Sequence, residues 1–353
     1  MVEKSTDRAY RDDEVTDGGT VPASRRPSAP QAGTHGAGGA PDQPTKLGPR
    51  GWWGVLRRTV REFGDDSLAD WAAALTYYAV LSIFPGLLVL VSVLGLIGDS
   101  VIQPLIDDMG RIAPGPVGEI LTTGARNLTE AQGTAGLFAI VGLVVALWSA
   151  SGYIGAFMRA SNAIYEVPEG RPIWKTLPIR VAVTIVVGTL LAVSAMMVVF
   201  TGRLAEWAGD ALGAGSTLIT VWNVAKWPVL LVLVSLMFAI LYWAAPNARQ
   251  GGFRWITPGG LLAVVIWIIA SAGFAFYVAN FGTYNKTYGT LGGVVIFFVW
   301  LWISNLAVLL GAEFDAELHR GRAIAGGHPE DEEPFVELRD TRKIKEGKGR
   351  GLS

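Results

Sequence analysis

Six stretches without a charged side chain decide what this chain can fold into. Trp71–Gly98 and Ala131–Met158 each run 28 residues with no Asp, Glu, Lys or Arg; Val181–Gly202 and Trp227–Ala248 run 22 each, Trp255–Asn285 runs 31 and Thr287–Ala312 runs 26. About 20 mostly apolar residues carry a helix across the hydrocarbon layer of a bilayer. All six stretches reach that length, with centres rich in Leu, Val, Ile, Ala and Phe. Buried helices of soluble proteins are shorter and keep a polar face. Strands of a membrane barrel run about ten residues and alternate, which these stretches do not. A backbone exposed to lipid must satisfy its own hydrogen bonds, so helices remain. The expectation is an all-α, polytopic membrane protein. Its six transmembrane helices lie at about residues 71–98, 133–158, 181–202, 222–245, 257–280 and 290–312, within a membrane domain covering 51–325.

Charge is displaced to the ends of the chain. Only 17% of the 353 residues are charged, against about a quarter in a soluble domain. Residues 1–50 hold seven acidic and seven basic residues and no apolar run, which offers no core for a signal peptide and predicts a disordered tail. Residues 326–353, with the acidic run Glu330, Asp331, Glu332, Glu333, are expected to be a second solvated tail. There is no Cys, so disulfides, thiolate metal sites and Cys nucleophiles are excluded. A net charge of -1 does not suit a nucleic-acid binder, which needs a basic surface. The three His (His35, His319, His328) fall outside the spans, and no HExxH, GxSxG or Walker A sequence occurs. The expectation is therefore no catalytic site, no metal and no cofactor. A transporter built this way would run on a gradient, on lipid mass action or with a partner.

Lys and Arg placement orients the chain. Lys46, Arg50, Arg57, Arg58, Arg61, Arg159, Arg171, Lys175, Arg180, Arg249, Arg254, Arg320 and Arg322 give 13 basic residues on one side; Arg111, Arg126, Arg203 and Lys286 give four on the other. Both termini are thus expected in the cytoplasm. Residues 51–70 read as an interfacial helix whose Trp52, Trp53, Leu56 and Val60 enter the headgroup zone while its Arg residues face phosphate. The first outer loop, broken at Pro104, Pro114 and Pro116, reads as short amphipathic helices.

Polar groups at membrane depth are costly and therefore informative. The first span carries Thr76, Tyr77, Tyr78, Ser82 and Pro85; Pro85 removes a backbone donor and is expected to kink the helix. These residues either pack helix against helix or line a polar path. The second span carries Ser149, Ser151 and Gly152, which permit close helix approach. Arg159 and Asn162, three apart, are expected on one face at the inner boundary. Asn280, Tyr284, Asn285, Lys286 and Tyr288 crowd a short outer turn, either a rigid aromatic hairpin or an outer gate built on Lys286. Glu313 and Glu317, four apart, are expected to share a helical face, where the pair could take up protons or salt-bridge Arg159. Lys226 is a further candidate inside the outer interface.

These residues resemble the YihY/BrkB family of bacterial inner-membrane proteins, once called the ribonuclease BN family, over about residues 55–322. The resemblance rests on Ala72-Ala-Ala-Leu-Thr-Tyr-Tyr-Ala79 with Ser82-Ile-Phe-Pro85, and on Trp148-Ser-Ala-Ser-Gly152. It continues with Arg159, Asn162, Tyr165, Pro168, Arg171-Pro172 and Pro246-Asn247, and closes with Tyr277 to Gly289 and Gly311-Ala-Glu-Phe-Asp-Ala-Glu-Leu318. Tyr242-Trp-Ala-Ala before Pro246 departs from the family pattern. The resemblance implies a six-helix inner-membrane protein, linked in the family to serum resistance and to envelope lipid export. The His/Asp metal cluster of metallo-β-lactamase-type ribonucleases is absent. The leading expectation is movement of a lipid or other amphiphile, with the bilayer as partner and no nucleic acid; a homo-oligomer is left open. A non-transporting scaffold that docks partners through loops and tails is the alternative, and an RNA-cleaving enzyme the third reading.

Overall fold

A computed structural model describes residues 48–97, 135–199, 216–250, 253, 256–280 and 284–344. Seven helices stand among them: α1 Pro49–Asp65, α2 Leu68–Ile97, α3 Ala135–Ile164, α4 Ile173–Val199, α5 Ser216–Ala244, α6 Pro258–Asn280 and α7 Tyr284–Ala325. The expected outer loop between α2 and α3, with its expected amphipathic helices, lies outside the described residues. Five helices are long and apolar enough to cross a membrane, over Leu143–Ile164, Ile173–Val198, Thr220–Ala244, Pro258–Val278 and Gly292–Ala325. The sixth expected span is α2, 30 residues long and helical through Pro85. Among the described helices α1 alone is strongly amphipathic; the long helices have little polar face to present.

The distribution of side chains supports a lipid setting. Val224 is 67% exposed, Ile269 66% and Phe276 72%, a density of outward apolar groups that water would not tolerate. Polar groups turn inward instead. Asn305 of α7 donates from Nδ2 to Thr76 Oγ1 of α2 at 3.0 Å and accepts from the Tyr153 hydroxyl of α3 at 2.9 Å. Thr76 closes the chain of bonds by donating to the Ala72 carbonyl at 2.8 Å. In α5, Tyr242 lies stacked against Phe157 and Phe238 and donates to the Val308 carbonyl at 2.6 Å. Helix α2 packs along α3, α7 along α6 and α2, α4 on α5, and α1 on the C-terminal half of α7.

Helices α6 and α7 cross with their backbones close together. A Cβ at Gly259 would sit 2.0 Å from the Gly311 carbonyl oxygen, and one at Gly311 would sit 2.5 Å from the Gly259 carbonyl, so only glycine fits the crossing. There the Asp315 carboxylate accepts from the Gly259 backbone N–H at 2.7 Å, supplying a partner to an otherwise orphaned donor at the start of α6.

Two expectations change. The last helix begins at Tyr284 rather than near residue 290 and runs 42 residues to Ala325. Residues 326–344 are not a solvated tail. Helix α7 ends on Gly327, at φ +96°, where the His328 N–H bonds the Ala323 carbonyl and the Gly327 N–H bonds the Ile324 carbonyl. The chain then turns back, buries Phe335 in the core, and pairs Leu338 with Ala248 in an antiparallel bridge. Charged composition hid a few well-placed anchors. Residues 1–47 and 345–353, the rest of the expected tails, lie outside the described residues.

Candidate functional site

One end of the bundle gathers the chain segments that the charge count assigned to one side: α1, the turn after α3, the connection after α5 and the segment after α7. Two polar assemblies hold them together.

The first is built on two asparagines. Asn247 is fully buried. Its Nδ2 donates to the carbonyls of Pro168 at 3.0 Å and Asp340 at 2.9 Å, while its Oδ1 accepts from the Asp340 N–H at 3.1 Å. Its own N–H donates to Asn162 Oδ1 at 2.7 Å, and Asn162 Nδ2 donates to Glu169 Oε2 at 3.0 Å. Arg171 grips Glu169 with two hydrogen bonds, Nε to Oε1 at 2.8 Å and Nη2 to Oε2 at 2.7 Å. Its guanidinium also donates to the Ala244 and Ala245 carbonyls, which are orphaned acceptors at the end of α5. Lys175 donates to Asp340 at 2.6 Å and, with the Arg342 backbone N–H, holds that carboxyl well below the usual carboxylate range.

The second assembly is ionic and sits where α1 crosses α7. Arg320 is a hub: Nη1 stands 3.6 Å from Glu62, 3.8 Å from Glu166 and 3.6 Å from Glu317, and Nη2 stands 3.7 Å from Glu333. Arg58 of α1 ion-pairs Glu317 and approaches Glu330 at 4.0 Å. Asp66 lies in the turn between α1 and α2. Glu313 is 1% exposed, and its Oε2 meets no hydrogen-bond partner among the described residues. The two non-glycine residues with left-handed backbone among those described are Ser67, at φ 53°, and Glu166, at φ 52°; both border this cluster. Glu166 occupies the helix-ending position where glycine is usual, with the Val167 N–H bonding the Asn162 carbonyl.

Carboxylates outnumber arginines here, and two that lie outside the spans show the consequence. Burial raises Asp66 to about 6, helped by the charges of Glu62 and Asp65. Burial and then the adjoining Glu333 carboxyl raise Glu166 to about 8, with Arg320 opposing. Both hold their protons more firmly folded than unfolded. Their stabilising contribution is complete below about pH 4 and is lost as pH rises through 6 and then 8. The melting temperature in detergent should fall between pH 5 and pH 9, and Glu166→Gln should flatten the upper half of that fall. An unchanged profile in Glu166→Gln would show that this carboxyl is not titrating there.

The sequence candidates separate. Asn162 enters the asparagine assembly, and Glu313 and Glu317 enter the ionic one. Arg159 is exposed while Asn162, three residues on, is buried. Glu317 pairs with Arg58 and Arg320, not with Arg159. Tyr77 points outward at 60% exposure, edge-on to Tyr78. Tyr78 covers Gly152, where an added Cβ would lie 3.0 Å from its ring. Ser151 donates to the Trp148 carbonyl and accepts from Arg180 Nη2 at 3.2 Å; Ser149 is half-buried beside it. Lys226 is buried, donates to Asn223 Oδ1 at 3.1 Å and lies 5.7 Å from the Trp227 ring. The side chains of Pro85, Asn280, Tyr284, Lys286 and Tyr288 lie outside the described residues. Of the α1 residues expected in the headgroup zone, Trp53, Leu56 and Val60 are exposed, but Trp52 packs on Phe314.

Sequence reasoning missed Arg58, Glu62, Asp66, Asn305 and Asp340 as site members. Asn305 had a signal, a lone amide in a charge-free stretch. Arg58 had none, because its partner Glu317 is 259 residues away. Among the described residues no group of three or more His, Asp or Glu is placed to hold a metal ion.

Comparison with known proteins adds the following. The family described as "Virulence factor BrkB" matches residues 59–334. "Putative ribonuclease-like protein YfkH" of Bacillus subtilis is 31% identical over 261 residues, 73% of this chain and 92% of the relative. A "UPF0761 membrane protein" of Alkalilimnicola ehrlichii is 30% identical over 72% of this chain, and "UPF0761 membrane protein RSc1559" of Ralstonia nicotianae 29% identical over 75%. The chain spans only 56% and 58% of the length of these last two. No solved structure matches.

Proposed function

We propose, from the premise that this chain belongs to the Virulence factor BrkB family of membrane proteins, that it moves a lipid or other amphiphile across the bacterial inner membrane. In this reading both termini face the cytoplasm and the ionic cluster under α1 is the inner gate. The observation that carries it is the burial of four ionisable side chains, Glu62, Glu313, Glu317 and Arg320, together at one end of the bundle. A packing role would be served as well or better by apolar side chains of similar volume, and ionisable residues at such depth mark pathways and relays. No nucleotide-binding sequence accompanies them, so the driving force comes from a gradient, lipid mass action or a partner. The scaffold reading is weakened in one respect: residues 326–344, part of the tail it would use for docking, are bound to the chain's own loops.

The test is leaflet exchange in proteoliposomes carrying labelled phosphatidylethanolamine, phosphatidylglycerol or cardiolipin. Exchange several-fold above empty vesicles for at least one lipid, reduced by Glu317→Gln, is expected. Exchange no faster than in empty vesicles for every class would overturn the reading.

A further inference from the structure

Two arginines, one on α3 and one on α4, have no counter-ion among the described residues. Arg180 lies in the apolar span Ile173–Val198 of α4 and is half-buried against α3. Its Nε donates to the Ser151 carbonyl at 3.1 Å and its Nη2 to the Ser151 hydroxyl at 3.2 Å. A glycine makes room for it: a Cβ added at Gly155 would lie 2.8 Å from the guanidinium carbon. Arg159 follows Gly155 by four residues, as Gly155 follows Ser151, so the three lie along one ridge of α3. Arg159 is exposed. The acids of the connection between the two helices are engaged elsewhere: Glu166 faces Arg320, and Glu169 holds Arg171 and Asn162. Asp340, which the segment after α7 brings to the same connection, is taken by Lys175. No carboxylate among the described residues lies within ion-pair distance of Arg159 or Arg180.

A guanidinium carries five N–H donors, and Arg180 commits two of them to described residues, both on Ser151. The rest of the fork sits among side chains that face outward from the bundle. Leu177 and Val181 flank Arg180 along α4 and are exposed, and Trp148, whose carbonyl accepts from the Ser151 hydroxyl, is 77% exposed. A cation in such a place calls for an anion, and the planar fork of arginine matches the oxygens of a phosphate. We infer that Arg159 and Arg180 hold the phosphate of an anionic phospholipid in the leaflet at the charged end of the bundle, with its acyl chains lying along Leu177 and Val181. Two guanidiniums without a carboxylate favour a headgroup of net negative charge over one that carries its own cation. This goes beyond the transport reading, because a lipid held here is bound whether or not any lipid crosses the membrane.

Native mass spectrometry of the full chain tests this after exposure in detergent to an equimolar mixture of phosphatidylglycerol and phosphatidylcholine. The unaltered chain should retain phosphatidylglycerol several-fold over phosphatidylcholine. Arg159→Gln, at an exposed position where folding is not at stake, should cut that preference several-fold, and adding Arg180→Gln should abolish it. Gly155→Ala changes no charge but intrudes on the seat of Arg180, so it should weaken retention as well. Arg249→Gln, exposed at the same end, should leave the preference unchanged. Full retention in the double variant would mean that both arginines are simply hydrated, and an equal loss in Arg249→Gln would mean a diffuse attraction to basic surface; each overturns the site. Excess inorganic phosphate should not displace the lipid, and displacement would overturn the assignment to a phospholipid in favour of a soluble phosphate. Retention is read without leaflet exchange, so a failed exchange assay and a failed lipid site can be told apart.

Discussion

Replacing Arg320 by alanine is expected to cost about 3–5 kcal/mol, the range for stripping one partner from a buried ion pair. The guanidinium is 8% exposed and lies within 4.0 Å of the carboxylates of Glu62, Glu166, Glu317 and Glu333. Without it Glu62 and Glu317, both buried, face each other with one fewer cation, and the residue's stacking over Phe335 at 5.8 Å is lost as well. The protein offers its own control. Arg249 pairs with Glu337 at 2.9 Å, but the two side chains are 71% and 76% exposed, so Arg249→Ala should cost less than about 1 kcal/mol. Thermal unfolding in detergent, followed by tryptophan fluorescence, compares the two directly. Equal losses would mean that the hub is solvated and the cluster far looser than described.

Gly259→Val should be the second severe variant. A side chain there begins 2.0 Å from the Gly311 carbonyl oxygen and 2.6 Å from the Asp315 carboxyl carbon. The Gly311 carbonyl cannot give way without moving α7, so a cost of about 3 kcal/mol is expected. The Gly259–Asp315 bond would be lost in the same displacement. Gly273 lies on the same helix with nothing within 4 Å of an added Cβ; Gly273→Ala should be neutral or stabilising by up to about 1 kcal/mol. Melting temperatures and monodispersity after purification decide the matter. A Gly259→Val protein as stable as its parent would show that the α6–α7 crossing is not this close.

The spans were legible because the bilayer imposes a length that a local window can see. Trp255–Asn285 reads as a membrane crossing with no knowledge of its neighbours, and α6 lies within it. The site was legible only in part. Glu313 and Glu317 stood out as charges at a span boundary, but four-residue spacing says which face they share and not what crosses it. The partner Arg58 of Glu317 comes from α1, at the start of the chain's membrane domain, a pairing set by how α1 lies on α7. Asn162, Arg171 and Asn247 belonged to the segments that carried the family resemblance, and the fold brings all three into one hydrogen-bond network. The C-terminal segment was misjudged for a similar reason. Its composition is that of a disordered tail, yet Phe335, Leu338, Arg339 and Asp340 each meet a specific partner, and average polarity does not report such contacts.

Single-cysteine labelling in spheroplasts tests the sidedness on which all of this depends, and a chain with no natural cysteine needs no preparation for it. Arg50→Cys and Gly327→Cys, both at exposed positions of the charged end, should resist a membrane-impermeant maleimide until the cells are permeabilised. Thr122→Cys, in the expected outer loop, should react at once. Reaction of either charged-end cysteine in intact spheroplasts, or protection of all three, would contradict a bundle whose ionic end faces the cytoplasm.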